Sequence, residues 1–130
     1  MPVSGRGKGQ QAKTDFIEGV LLCTVGNSLN ADPWCRALPD FGNMPTNSTQ
    51  KQRDEYLKKL YSYAHLISAK GMYFNKQGDH LTYDIGACVR TAEASGFKGI
   101  YSAEQWSPKP NPIDAVAAAR AIIRQIADNI

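Results

Sequence analysis

The stretch HLISAKGMYFNKQGDHLTYDIGACVRTAEASGFKGIYSAE, residues 65–104, reads as strand, loop, helix and strand. Residues 65–70 and 98–104 are short apolar runs of strand length. Between them, Asn75-Lys76-Gln77-Gly78-Asp79 marks a loop or tight turn. Asp84 stands at the cap of a helix over 84–95, with Ile85, Val89 and Ala92 on its buried side, and Gly96 ends it. Strand, helix and strand in this order make a β-α-β unit, the repeating piece of parallel sheets.

The same alternation continues in both directions. Upstream, residues 51–64 predict a helix, with Tyr56, Leu57, Leu60, Tyr61 and Ala64 at helical spacing. A polar, turn-rich stretch precedes it, and before that a strand over 34–39 closed by Pro39. A first helix is expected over 15–25, where Asp15 can cap and Glu18 stands at capping-box spacing. Downstream, the proline-rich SPKPNP (107–112) leads into a helix over 113–128. There Ile113, Val116, Ala119, Ile123, Ile126 and Ile130 make a continuous apolar stripe. The predicted class is α/β, with about three parallel strands alternating with four helices. Alternation alone fits a barrel and an open doubly wound sheet equally. No G-x-G-x-x-G follows a strand and no Walker A sequence is present. The G-x-G at Gly5–Gly9 follows no strand either.

Composition is that of an ordinary globular protein, which excludes collagen-like, disulfide-scaffold and disordered classes. A net charge of +3 does not by itself imply a nucleic-acid partner. The basic, glycine-rich residues 1–13 read as a flexible tail. Cys23, Cys35 and Cys88 are odd in number and form no C-x-x-C, so reduced thiols and a cytoplasmic location are expected. No signal-peptide run and no span of membrane length is found.

In parallel α/β folds, ligands bind at the C-terminal ends of strands. Those positions hold Asp40 and Asn43 after the first strand, Ser68 and Lys70 in the second, and Glu104 and Trp106 after the third. Two carboxylates, an amide and a lysine would converge on one face. Hard divalent cations take oxygen ligands of this kind. Such an ion can polarise a sugar carbonyl and stabilise an enediolate. Trp106 can floor a sugar site. Each residue also has a plainer reading: Asp40 and Asn43 as turn formers, Glu104 in a rim salt bridge, Lys70 as a solvated strand end. His65 reads as packed or surface, His80 as solvated in a polar loop, and Asp84 and Asp114 as helix caps.

Three strings carry a resemblance. LPDFGN (38–43) resembles the sixth-strand motif of the xylose-isomerase-like TIM barrels, the sugar phosphate isomerase/epimerase family. ISAKGMYFNKQGD (67–79) resembles that family's seventh strand and following loop, and SGFKGIYSAEQW (95–106) its approach to the eighth strand, which ends in Glu. The three stand in the family's order at plausible spacing, and the resemblance spans roughly residues 14–130. The resemblance implies a partial (β/α)8 barrel, with Asp40 and Glu104 as metal ligands and Glu104 also catalytic. It implies substrate contacts from Asn43, which falls where many members have a His, and from Lys70 and Trp106. Many members have a further His ligand where this chain has Ser68. A full barrel takes about 250 residues, so residues 14–130 would supply its C-terminal half, without the Glu that ends the family's fifth strand.

The function so implied is sugar or sugar-phosphate isomerisation or epimerisation. It would proceed by proton transfer next to a carbonyl, assisted by a divalent metal (Mn, Mg, Co or Zn). The alternative is an inactive half-barrel that binds a partner or itself. Open strand edges and uncovered apolar faces find partners, so a homo-oligomer or a second chain completing the barrel is expected, with no nucleic acid and no membrane.

Overall fold

The computed structural model describes residues 36–45, 47–107 and 109–130. The tail over 1–13, the helix over 15–25 and residues 34 and 35 of the first strand lie outside them. The described chain is mixed α/β: α1 (Gln50–Tyr61), β1 (Leu66–Gly71), α2 (Ile85–Ala94), β2 (Ile100–Gln105) and α3 (Ala115–Ala127). The two strands pair in parallel, with Leu66 opposite Ile100 and Lys70 opposite Glu104.

The segment before α1 touches the other edge of β1. The Ser68 N–H donates to the Pro39 carbonyl at 2.9 Å, and the Phe41 N–H donates to the Ser68 carbonyl at 3.0 Å. Among the described residues, the predicted strand over 34–39 therefore meets β1 through a single bridge, Asp40 to Ser68, one residue beyond its expected end. The reason is local. Asp40 Oδ1 accepts from the N–H groups of Gly42 (2.8 Å) and Asn43 (3.1 Å), which turns the chain off the sheet.

Helix ends follow their caps. Thr49 and Gln52 form a reciprocal capping box that starts α1 one residue earlier than the apolar spacing predicts. Residues 62–64 then tighten into i→i+3 bonds, from Tyr63 to Leu60 and from Ala64 to Tyr61, so α1 stops at Tyr61. Asp84 caps α2 by accepting from the Ala87 N–H, and Asp114 caps α3 by accepting from the Ala117 N–H. Gly96, at φ +80°, lets the chain leave α2.

The core lies on the sheet face carrying Ile67 and Ala69. Leu57 and Tyr61 of α1, Ile85, Val89 and Ala92 of α2, and Ala118 and Ile122 of α3 pack there, together with Phe41, Phe74 and Phe97 from the connections. The apolar stripe expected over 113–130 is only partly the buried side. Ile113 and Ile126 pack against the core, but Val116, Ile123 and Ile130 are 60%, 55% and 72% exposed, and the buried positions are Ala118, Ala121 and Ile122. Close approach decides this. Small alanines bring α3 near the sheet, and Ile122 fills the space left by Gly71, where an added Cβ would stand 3.0 Å from it. Among the described residues no helix is long and apolar enough to cross a membrane.

Gly99 sets the entry to β2. A Cβ there would lie 2.2 Å from the His65 carbonyl oxygen and 2.6 Å from the Phe97 ring. That carbonyl accepts the Ile100 N–H at 3.0 Å, a bond between the two strands. Gly99→Ala is expected to cost about 1–3 kcal/mol, as overpacking does. Urea denaturation measures it; an unchanged midpoint would show that the strand entry relaxes freely.

Candidate functional site

Side chains alternate across a strand, so Ser68 and Lys70 of β1 share a face with Ser102 and Glu104 of β2, opposite the core. The register sets Lys70 beside Glu104. Lys70 Nζ lies 3.0 Å from Glu104 Oε1 and 3.8 Å from Asp40 Oδ2. It also donates to Asn43 Oδ1 at 3.3 Å and stands 5.9 Å from the centre of the Trp106 ring. The Ser68 hydroxyl donates to Glu104 Oε2 at 2.8 Å. Asp40, Asn43, Lys70, Glu104 and Trp106 are thus brought together, with Ser68 beneath them.

Two of the plainer readings describe part of this arrangement. Asp40 is a turn former through Oδ1, while its Oδ2 faces the lysine. Glu104 is in a salt bridge, with Lys70 as its partner. Lys70 itself is no solvated strand end: its side chain is 15% exposed. The absence of a side chain at Gly42 allows this, because a Cβ there would meet the Lys70 methylenes at 2.8–3.1 Å. The Glu104 carboxyl is held below the ordinary Glu range, first by the bond from Lys70 and then by that from Ser68.

A brace that the sequence reading missed lies behind the cluster. Arg53 of α1 is 3% exposed. Its guanidinium donates to the Phe41 carbonyl and sits 4.2 Å from the centre of the Tyr83 ring. The Tyr83 hydroxyl in turn donates to the Lys70 carbonyl. One buried cation therefore links the turn that holds Asp40 to the strand that holds Lys70. A signal existed: Arg53, Leu57, Leu60 and Tyr61 follow i, i+4, i+7, i+8, so Arg53 occupies an apolar-stripe position.

His80 corrects another expectation. It is not solvated: Nε2 accepts from the Met72 N–H at 3.1 Å, and Nδ1 is 3.1 Å from the Tyr83 carbonyl. Its ring packs against Phe74 and Tyr83. This pattern assigns the proton to Nδ1 and leaves the ring neutral. Burial is the first cause lowering its pKa. Because the folded pKa is depressed, its stabilisation is complete above the unfolded value of about 6.5. It falls away as pH drops from there toward the folded value. Melting temperature is expected to decline from pH 7 to pH 5, with a shallower slope in His80→Asn. Equal slopes would show that the ring carries no such linkage.

Cys88 is a free, fully buried thiol, pushed up to about 12 by burial and inert as a nucleophile.

As a cation site, the cluster offers only oxygen donors: the Asp40 and Glu104 carboxylates, with the Ser68 hydroxyl and Asn43 amide oxygen nearby. In kind these fit a hard divalent ion. Among the described residues no group of three His, Cys, Asp or Glu is placed to hold one, and the Lys70 ammonium stands against both carboxylates. No protein-family model and no curated protein matches this chain.

Proposed function

We propose that the chain carries the substrate face of a sugar or sugar-phosphate isomerase or epimerase built on a (β/α)8 barrel wall. The observation behind this reading is the convergence of Asp40, Lys70 and Glu104 from the ends of three neighbouring parallel segments, with Lys70 touching both carboxylates. Two apolar side chains on the same face, Leu66 and Ile100, are 37% and 69% exposed. They suit a barrel interior that further strands, from this protein or a partner, would cover. Helices packed on one sheet face with polar chemistry on the other also favour a barrel over a doubly wound sheet.

In this reading Lys70 donates to the carbonyl oxygen of an open-chain sugar and stabilises the enediolate that forms when the neighbouring carbon loses its proton. Glu104 is ionised, as a proton acceptor must be, but its contact with Lys70 weakens it as a base. Movement of the ammonium onto the substrate oxygen removes that contact and restores basicity when substrate is present. Asn43 fixes a hydroxyl, and Trp106 offers an apolar ring face to the sugar. A divalent cation, if held by Asp40 and Glu104, would supply further polarisation of the carbonyl.

The test is exchange of the sugar proton next to the carbonyl in D2O, with aldose–ketose and epimer pairs followed by NMR. Exchange is expected in the wild type and a loss of at least about a hundredfold in Glu104→Gln, the scale of general-base catalysis. Exchange that persists in Glu104→Gln would remove Glu104 from the chemistry.

A second reading has its own support. Val116 and Ile123 on α3 and Ile130 past its end are exposed apolar side chains, in addition to Leu66 and Ile100. Such surfaces mark association, and an inactive self-associating half-barrel would present them. No exchange with any sugar, combined with a dimer or larger species in sedimentation, would favour it.

A further inference from the structure

We infer that a second site, sharing no residue with the Asp40–Lys70–Glu104 cluster, binds a small phosphoryl-bearing anion between the 75–79 turn and α3. A cavity of about 290 Å³ lies there. Lys76 from the turn and Arg120 and Arg124 from α3 line it, against one carboxylate, Asp79. Among the described residues none of the three cations takes part in an ion pair. Arg120 and Arg124 stand one helical turn apart, a like-charge spacing that disfavours an isolated helix. An anion between them would offset that repulsion.

The turn that lines the cavity with the arginines is fixed rather than loose. Asn75 Oδ1 accepts from the N–H groups of Gln77 and Asp79, both at 2.9 Å, and the Gly78 N–H donates to the Asn75 carbonyl at 3.1 Å. Gly78 takes φ +85°, and a Cβ there would lie 3.5 Å from the Ala121 Cβ, so the turn rests on the helix. The Asp79 carboxylate is engaged by the Asn75 amide at 2.8 Å. Ile113, Ala117 and Ala121 add an apolar floor. Two arginines lining one cavity with apolar neighbours match phosphoryl oxygens, which accept paired N–H bonds from guanidinium groups. The volume falls at the small end of ligand pockets, which suits a pyrophosphate or a small phosphorylated metabolite.

Calorimetric titration with pyrophosphate tests this, beside citrate as a carboxylate of comparable charge. Pyrophosphate is expected to bind and to raise the melting temperature. Its affinity should fall at least about tenfold, or 1.4 kcal/mol, in R120Q/R124Q and stay unchanged in Lys58→Gln, an exposed change on α1. No binding, equal loss in Lys58→Gln, or undiminished binding by the double variant would each overturn the site. Citrate binding as tightly as pyrophosphate would overturn its phosphoryl preference. Free phosphate and phosphate monoesters, titrated in turn, separate inorganic from organic sources of the same chemistry.

Discussion

Lys70→Met is expected to abolish proton exchange on sugars while tightening the binding of Mn²⁺. The two effects have opposite signs because the ammonium does two jobs. It is the donor proposed for the substrate oxygen, so removing it removes stabilisation of developing charge, a loss on the order of a hundredfold or more in rate. It is also a cation already seated 3.0 Å from Glu104 and 3.8 Å from Asp40, and so competes with any other. Without it the two carboxylates repel each other, and a divalent ion relieves that repulsion. The Glu104 pKa is expected to rise toward the ordinary range, since the lysine is the first cause of its depression. The Glu104 carboxylate is 44% exposed and its pairing with Lys70 contributes little to stability. The Asp40 side chain, 12% exposed, is left with one unpaired oxygen, at a cost of about 1–3 kcal/mol. Titration with Mn²⁺ followed by electron paramagnetic resonance reads the affinity, and NMR of the Glu104 carboxyl carbon reads the pKa. Weaker Mn²⁺ binding in this variant would mean that the carboxylates do not hold a cation.

Phe41→Ala is expected to cost about 3–5 kcal/mol, the range for a large aromatic removed from a core. Phe41 is fully buried. It also lies between the residues of the site: its N–H donates to the Ser68 carbonyl and its own carbonyl accepts from Arg53. The loss should therefore reach beyond stability. Freed of its anchor, the 40–43 turn would no longer hold Asp40 toward Lys70. In Phe41→Leu most of the volume returns, and stability should recover by more than half. Urea denaturation reads the first effect, and the NMR shift of the Lys70 side chain reads the second. A destabilised Phe41→Ala with an unmoved Lys70 signal would separate core from site.

Much of this arrangement was legible in the sequence, for identifiable reasons. The β-α-β alternation places Lys70 and Glu104 at adjacent strand ends, and strand ends are where parallel sheets gather ligands. Asp84 and Asp114 announce their helices because capping is a local exchange between one side chain and the backbone three residues on. The remainder depends on contacts with no sequence period. Lys70 looks like a solvated lysine until Gly42, twenty-eight residues earlier, is seen to make room for it. His80 looks like a loop residue until the Met72 N–H is found to need its nitrogen. The stripe over 113–130 looked like a core face because six apolar residues share it, yet only part of it meets the core: Ile113 and Ile126 pack there while Val116, Ile123 and Ile130 are exposed. Which side of a helix meets a sheet depends also on how closely small residues allow the two to approach, and hydrophobic spacing alone does not reveal that.

The pairing of Lys70 with Glu104 is a property of ladder register, with a consequence for how such a chain can change. Lengthening or shortening the segments 72–82 or 106–112 disturbs the 75–79 turn or the surroundings of Trp106 but leaves the ladder register intact. A single insertion or deletion inside β1 or β2 is different. A slip of one residue carries every side chain beyond it to the opposite face, sending the charged partner into the packed interior and an apolar one out among the carboxylates. Drift in length among descendants of this sequence should therefore collect in the connections and be nearly absent from the twelve ladder positions of Leu66–Gly71 and Ile100–Gln105.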